Sequence, residues 1–310
     1  MKPKILLTGR NGQIGAELKR LLADSSDLLA LARQDLDLCD SENIRRTIRD
    51  FRPHLIINAA AYTGVDQAES DESAARAINA EAPVVIAEEA KQIGAGLIHY
   101  STDYVFDGSK ASPYSEDDPA NPINVYGKTK LAGERGIQNV DGSYLIFRTA
   151  WVYGTRGKNF MLTILRLATT REELRVVADQ IGAPTWSREI ARATTTIITQ
   201  EWQSCGGAFP FSKCRGIYHM TAGGQSNWWE FASNIVEQAQ HAAHDNAWLT
   251  AATGGRPLVV KRISPVATTE YPTPARRPAY SILSNSRLTN VFGVQLSDWR
   301  PALRTALQSE

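Results

Sequence analysis

The chain has 310 residues, 34 of them basic and 33 acidic, for a formal net charge of +1, with 43% hydrophobic and 22% charged residues. So balanced a charge provides no field for nucleic acid or an anionic membrane as the main partner, and no apolar run approaches the roughly 20 residues that span a bilayer. The length suits one large domain or two smaller ones.

The amino terminus, "MKPKILLTGRNG", passes from a short apolar strand straight into a glycine turn. It lacks the apolar region and cleavage site of a signal peptide. "IGAELKRLLA" has helical spacing, "DLLALA" reads as a second strand, and "SENIRRTIRDF" as a helix that Ser41 can cap. "HLIINAAAY" and "GLIHYSTDYVF" are β-rich runs, separated by the alanine-rich helical stretch "ESAARAINAEAPVVIAEEAKQIG". "YLIFRTAWVYG" reads as a strand and "NFMLTILRLATT" as a helix. "EWQSCGGAFPFSKCRG" reads as a loop-like insertion, followed by the strand "GIYHMTAGG" and the helix "WWEFASNIVEQAQ". "YPTPARRPAYS" is an ordered, proline-rich loop of a second lobe. Such alternation of strand and helix implies an α/β fold, a doubly wound parallel sheet with helices on both faces. Cys39, Cys205 and Cys214 build no disulfide framework, and adding His219 gives no zinc spacing. The expected compartment is the cytoplasm.

Gly9, Gly12 and Gly15 stand between the first strand and the first helix. A tight turn, a backbone that approaches a pyrophosphate and a helix packed closely on the sheet all call for glycine there. Backbone N–H groups at the helix start then meet negative charge. These glycines are read as cofactor-binding. In dinucleotide folds an acidic residue at the end of the second strand selects NAD. Here that strand ends at Ala32, followed by Arg33. Arg33 is either the partner of an NADP 2′-phosphate or a solvent-facing loop residue. Asp35 and Asp37 come later and are placed over the adenine.

"NVYGKTKLAGE" holds Tyr126 and Lys130 four residues apart, on one face of a helix. A lysine ammonium near a phenol stabilises the phenolate. Ser101, Thr102 and Asp103 follow a strand, where open α/β sheets bind ligands. A hydroxyl, a phenol and an ammonium around a carbonyl make a proton-donating set, and a nicotinamide alongside makes the reaction a hydride transfer.

The glycine turn, "NAAAYTGVDQAE", "HYSTDYVFDG", "NVYGKTKLAGE", "FRTAWVYG", "DQIGAPT" and "YPTPARRP" resemble, in the same order, the extended short-chain dehydrogenase/reductases. More narrowly, they are similar to the 4-ketosugar reductases of that superfamily that make dTDP-L-rhamnose. The resemblance implies a Rossmann-type core over 1–150, completed by 186–240, and a substrate-binding lobe over 151–185 and 241–310. It implies NADPH as cofactor, with NADH possible, and a nucleotide-sugar substrate. Tyr126 is then the proton donor, and Lys130 binds the nicotinamide ribose and lowers the phenol's pKa. Thr102 supplies the hydroxyl, with Asp103 beside it on the sugar. Gly12, Gln13 and Ile14 lie under the pyrophosphate, while Asp37 and Leu38 bracket the adenine. Ala61, Tyr62, Thr63 and Tyr100 line the ribose and nicotinamide. Val65 lies near the substrate, and Trp151 packs on the deoxysugar ring. Some members dimerise around magnesium held by glutamates. Glu17 matches the first of these, but Arg188 (beside Glu189) and Arg287 stand at the others and cannot hold a hard cation. No metal and a monomer or weak dimer are therefore expected. Competing readings are a nucleotide-sugar 4-epimerase of the same fold and a non-catalytic relative, such as a methionine adenosyltransferase regulatory subunit.

Overall fold

The run KILLT forms β1 (Lys4–Thr8), with four of its five residues buried. Burial on both faces is the pattern of a central parallel strand. The computed structural model describes residues 2–241 and 246–308. The first half alternates through α1 (Gln13–Leu22), β2 (Asp27–Leu31), α2 (Ser41–Phe51), β3 (Leu55–Asn58), α3 (Val65–Ala68), α4 (Glu72–Arg76), α5 (Ala82–Ile93), β4 (Gly96–Thr102), α6 (Val125–Val140) and β5 (Tyr144–Thr149). The second adds β6 (Val152–Tyr153), α7 (Phe160–Ala168), β7 (Glu173–Val177), β8 (Ile181–Gly182), β9 (Thr185–Trp186), α8 (Ser187–Ser204) and β10 (Gly216–His219). Then come β11 (Ser226–Asn227), α9 (Trp228–Gln240), α10 (Ala247–Thr253), β12 (Arg262–Val266), α11 (Ser286–Phe292) and α12 (Trp299–Gln308).

β10, β5, β4, β3, β1 and β2 hydrogen-bond in that order into a six-stranded sheet, and every pair in it is parallel. The fold is the expected doubly wound, Rossmann-type α/β architecture. β1 lies between β2 and β3, so the chain winds away from it in opposite directions. The crevice beyond its carboxyl end is the topological switch point, where such sheets bind ligands.

Leu18 of α1, Ile190 and Ile197 of α8 and Leu288 of α11 pack with Ile5, Leu7 and Ile57 on one face of the sheet. Ile44, Ile86 and Ile137, from α2, α5 and α6, cover Leu6, Ile56 and Ile146 on the other. A separate cluster joins Met161 and Leu165 of α7, Phe231 and Ile235 of α9, and Trp299 and Leu303 of α12. The segment 186–240 therefore divides. α8 and β10 join the sheet layer, whereas α9 packs in the second cluster, and α11 returns to the sheet. An apolar stripe shows that a helix has a buried face, not which layer receives it.

Three local readings change. Asp40, not Ser41, caps α2: its side chain accepts from the Asn43 N–H, and Ser41 is the first helical residue. The "insertion" begins inside α8, and its Phe209 and Phe211 are buried against the sheet. A Cβ on Gly96 would lie 2.7 Å from the Phe209 Cβ, so this segment closes the amino-terminal end of β4, away from the switch point. Finally, the strand read through "YLIFRTAWVYG" stops at Thr149, because Trp151 takes a left-handed φ of 46°. Val152 and Tyr153 then pair with β9 instead.

Inside the fold, Arg148 Nη2 lies 2.6 Å from Glu134 Oε2, with side chains 4% and 0% exposed. Removing one partner of such a pair strands a buried charge, which costs about 3–5 kcal/mol. Arg148→Met should lower stability by that amount, read from urea unfolding. A loss below about 1 kcal/mol would mean that the carboxylate finds water or a proton cheaply.

Candidate active site

A cavity of about 870 Å³ opens at the carboxyl ends of β1 to β4 and extends under the second cluster. Its floor is the glycine turn. Gly9 has φ +74°, and a Cβ there would lie 2.7 Å from the Ala60 nitrogen. Gly12 precedes α1 with no side chain capping the helix, so the positive end of the helix faces the cavity, as anion sites do. Gly12, Gln13 and Ile14 line the cavity; Gly15 does not. A Cβ on Gly15 would lie 2.1 Å from the Gly9 carbonyl oxygen. Gly15 thus lets α1 pack on the turn. The Gln13 side chain is committed: it donates to the Val152 carbonyl at 3.2 Å and accepts from Asn159 at 2.9 Å. It ties the turn to the chain leading into α7.

Arg33, Asp37 and Leu38 line the far end of the cavity. Arg33 is exposed. Asp35 is absent from the lining: its carboxylate accepts from the Ala32 N–H at 2.8 Å and pairs with Arg10 at 3.1 Å. It braces the turn after β2. Ala61, Tyr62, Thr63 and Val65 form one wall. Asn79 fixes that wall by accepting from the Tyr62 N–H at 2.9 Å and donating to the Tyr62 carbonyl at 3.0 Å. Asn79 sits in a single π-helical turn, Ala77–Glu81, which no sequence period reveals.

Tyr100, Ser101, Thr102 and Asp103 form the opposite wall with Tyr126 and Lys130. The Tyr100 hydroxyl turns away to Thr194, at 2.7 Å. Asp103 is 1% exposed. Burial pushes its carboxyl up to about 6, against hydrogen bonds from Ser281 and Thr102. Ser101 Oγ, Thr149 Oγ1 and Asp103 Oδ2 are buried with no hydrogen-bond partner among the described residues. All three residues belong to the cavity wall. Unpaired buried polar atoms are costly unless a ligand meets them.

The tuning of Tyr126 differs from expectation. Burial pushes the phenol up to about 12, and the neighbouring Thr102 hydroxyl opposes the rise. Lys130 does not point at it. Its Nζ donates to the Tyr100 carbonyl at 2.6 Å and lies 3.2 Å from His99 Nε2. Burial pulls the ammonium down to about 8, with Glu134 opposing. The two side chains share a cavity and a helix face, and desolvation is the largest influence on each.

Trp151 is half-buried and lines the cavity. Trp228 covers one face of its indole, with ring centroids 3.5 Å apart and planes 6° from parallel. Trp228, Phe160, Lys158 and Arg277 also line the cavity. The sequence reading passed over them; only Arg277, within "PARRP", lay in a motif singled out there. Arg277 donates to Asp66 at 2.7 Å, and Asn124, the N-cap of α6, donates to the Arg276 carbonyl at 2.8 Å. The proline-rich loop is thereby pinned over the site.

A ligand cavity at the switch point of a doubly wound sheet, with a tyrosine and a lysine one helical turn apart on its wall, places the chain among the extended short-chain dehydrogenase/reductases. Residues 2–310 match the family described as "RmlD substrate binding domain". The dTDP-4-dehydrorhamnose reductase of Burkholderia thailandensis is 49% identical over 301 residues, 97% of this chain and 96% of that one. The Escherichia coli reductase of the same name is 42% identical over 307 residues, covering 98% and 96%. The crystal structure of dTDP-4-dehydrorhamnose reductase from Bacillus anthracis in complex with NADP superposes with a TM-score of 0.85, at 34% identity and 99% coverage of both chains. The chain belongs to this RmlD family.

If Tyr126 is the proton donor, Tyr126→Phe should cut turnover roughly 10²–10⁴-fold while leaving cofactor affinity within a factor of about two, by fluorescence titration. Near-normal turnover would assign the proton to another group.

Proposed function

We propose that the protein is an NADPH-dependent reductase, converting the C4 keto group of dTDP-4-dehydro-L-rhamnose to the alcohol of dTDP-L-rhamnose, and able to use NADH less well. The observation that carries this reading is the convergence of the uncapped glycine turn, Tyr126, Lys130, Thr102 and Asp103 on one cavity. The relatives' names and the NADP bound by the Bacillus anthracis enzyme support it. The residues fit the cofactor: the helix start suits a pyrophosphate, and the wall offers unpaired buried hydroxyls. NADPH, when bound, supplies the hydride that adds to C4. Gly12, Gln13 and Ile14 hold the pyrophosphate, and Asp37 and Leu38 bracket the adenine. Ala61, Tyr62, Thr63, Tyr100 and Lys130 hold the nicotinamide ribose and ring.

Tyr126 keeps its proton at neutral pH because its pKa lies near 12. Its hydroxyl passes that proton to the C4 oxygen, while Thr102 holds the same oxygen in line. Asp103 and Val65 position the sugar, and the Trp151–Trp228 stack gives its apolar C–H face a flat neighbour. The second cluster, with the proline-rich loop, serves as the substrate lobe. No helix of the described residues is long and apolar enough to cross a membrane. We place the enzyme in the cytoplasm, supplying activated rhamnose for cell-surface polysaccharide such as lipopolysaccharide O-antigen. Following NADPH oxidation with dTDP-4-dehydro-L-rhamnose tests the reading. No turnover with that ketosugar would overturn it, and tightly bound NAD with epimerised product would favour an epimerase.

Arg33 is the residue expected to favour NADPH. It stands exposed at the cavity end after β2, where Ala32 takes the strand-end position and the Asp35 carboxylate is held by the Ala32 N–H and Arg10. A charge-assisted contact to the 2′-phosphate contributes about 1.5–3 kcal/mol, roughly ten- to a hundredfold in affinity. The kcat/KM ratio of NADPH to NADH should fall towards one in Arg33→Ala. An unchanged ratio would move the preference elsewhere.

Glu17, matched to a magnesium ligand in some relatives, is taken up within the chain. Arg188 Nε and Arg20 Nη2 each lie 3.1 Å from its Oε2. Arg287 meets Asp117 and Glu116. We propose a monomer or weak dimer without structural metal. EDTA should leave activity and mass in solution unchanged; loss of either, restored by magnesium, would refute this.

A further inference from the structure

His99 takes no part in the chemistry above, yet it is the side chain against which Lys130 rests. It is 0% exposed. It stands in β4, paired in register with Asn58 of β3 and Ile146 of β5. Its Nε2 lies 3.2 Å from Lys130 Nζ and its Nδ1 lies 3.1 Å from Asn58 Nδ2. Asn58 Oδ1 in turn accepts from the Thr8 hydroxyl at 2.7 Å. Thr8 lines the cavity. A buried polar chain thus runs from the cavity wall beside the glycine turn, through the sheet, to Lys130.

A neutral imidazole has one acceptor nitrogen and one N–H. Burial and the nearby Lys130 charge hold His99 well below its usual pKa, so it stays neutral. Two arrangements satisfy both ring nitrogens and the Asn58 amide, the first at the cost of the Thr8 hydroxyl's acceptor. When Lys130 is an ammonium, Nε2 must accept from it, and Nδ1–H must donate to the Asn58 amide oxygen, with the amide nitrogen turned to Thr8. When Lys130 is a neutral amine, Nε2–H donates to it, and Nδ1 accepts from the Asn58 amide nitrogen.

We propose that His99 is a positioning residue of the reductase site: a neutral imidazole whose Nε2 accepts from the Lys130 ammonium, so that the tautomer of His99 and the charge of Lys130 change together. This rests on the reading of Lys130 as a cofactor-binding residue. The other charged groups around Lys130 are Glu134 on its own helix and, through Glu134, Arg148 of β5; Tyr126 is titratable and shares its helix face and cavity. The Tyr100 carbonyl also accepts from Lys130 but cannot change its hydrogen-bonding role. His99 is the partner that can follow the proton.

The primary test needs no cofactor. In ¹⁵N-histidine-labelled protein, with the His99 signals identified by their loss in His99→Gln, the ring should be the Nδ1–H tautomer near pH 6.5. It should cross to Nε2–H with a midpoint near 8, where Lys130 loses its proton. An Nε2–H tautomer at low pH, an imidazolium, or a tautomer constant across the range would overturn the proposal. A second measurement follows NADPH affinity from pH 6 to 10. Glutamine can place its oxygen near the Nε2 position, whereas asparagine is too short. His99→Gln should keep the alkaline midpoint, and His99→Asn should shift it about one unit lower. Equal midpoints in both variants would overturn the proposal. If Lys130→Met binds NADPH with the wild-type pH dependence, the cofactor role of Lys130 fails instead, and the tautomer measurement still decides the coupling between His99 and Lys130.

Discussion

Lys130 is an ammonium that the fold takes almost wholly out of water, at 1% exposure. An isolated buried charge costs several kcal/mol, and geometry must repay it. Each neighbour of Lys130 can be read as part of that repayment. The Tyr100 carbonyl accepts at close range, the His99 ring offers a second acceptor, and Glu134 adds a negative charge on the same helix. Glu134 cannot be left alone either, so Arg148 reaches it from β5. For the lysine to reach β4 at all, α6 must lie close against the strand end. Gly127 permits this: a Cβ there would sit 2.2 Å from the Tyr104 carbonyl oxygen.

The same constraint shapes the cavity. With α6 drawn down onto Tyr104, the Tyr126 phenol is half-buried beside Thr102 and Asp103, and desolvation is the largest influence on its acidity. The remaining walls are held by long-range ties. Gln13 links the glycine turn to the chain entering α7, and Asn79 clamps the backbone of Tyr62. Asp66 and Asn124 fasten the proline-rich loop above the site. Elements from the sheet layer and from the second cluster thus meet at one opening.

Much of this was legible in the residues. Alternating apolar runs gave the parallel sheet, and glycine spacing after β1 marked the turn at its switch point. Tyr126, Lys130, Thr102 and Asp103 were readable as one set because each followed a strand end or shared a helix face. Local chemistry misled where two residues competed for a role. Asp40 outdid Ser41 as a cap, and Asp35 turned back to Arg10 and its own turn. Trp151 sits in a run of β-formers, yet its left-handed backbone breaks the strand and brings it against Trp228, 77 positions later.

The sequence by itself determined the winding of the sheet, the place of the glycine turn and the shared helix face of Tyr126 and Lys130. These depend on periodicities of two and 3.6 residues and on spacings within one element, which a linear chain carries openly. Only the tertiary structure decided which charges are buried and what they face. That Lys130 meets His99 and not the Tyr126 phenol, that Arg188 occupies Glu17, and that α9 leaves the sheet layer for the second cluster are outcomes of packing between distant segments. The reason is desolvation: its size depends on every atom that closes around a group, and no spacing within the chain encodes that enclosure.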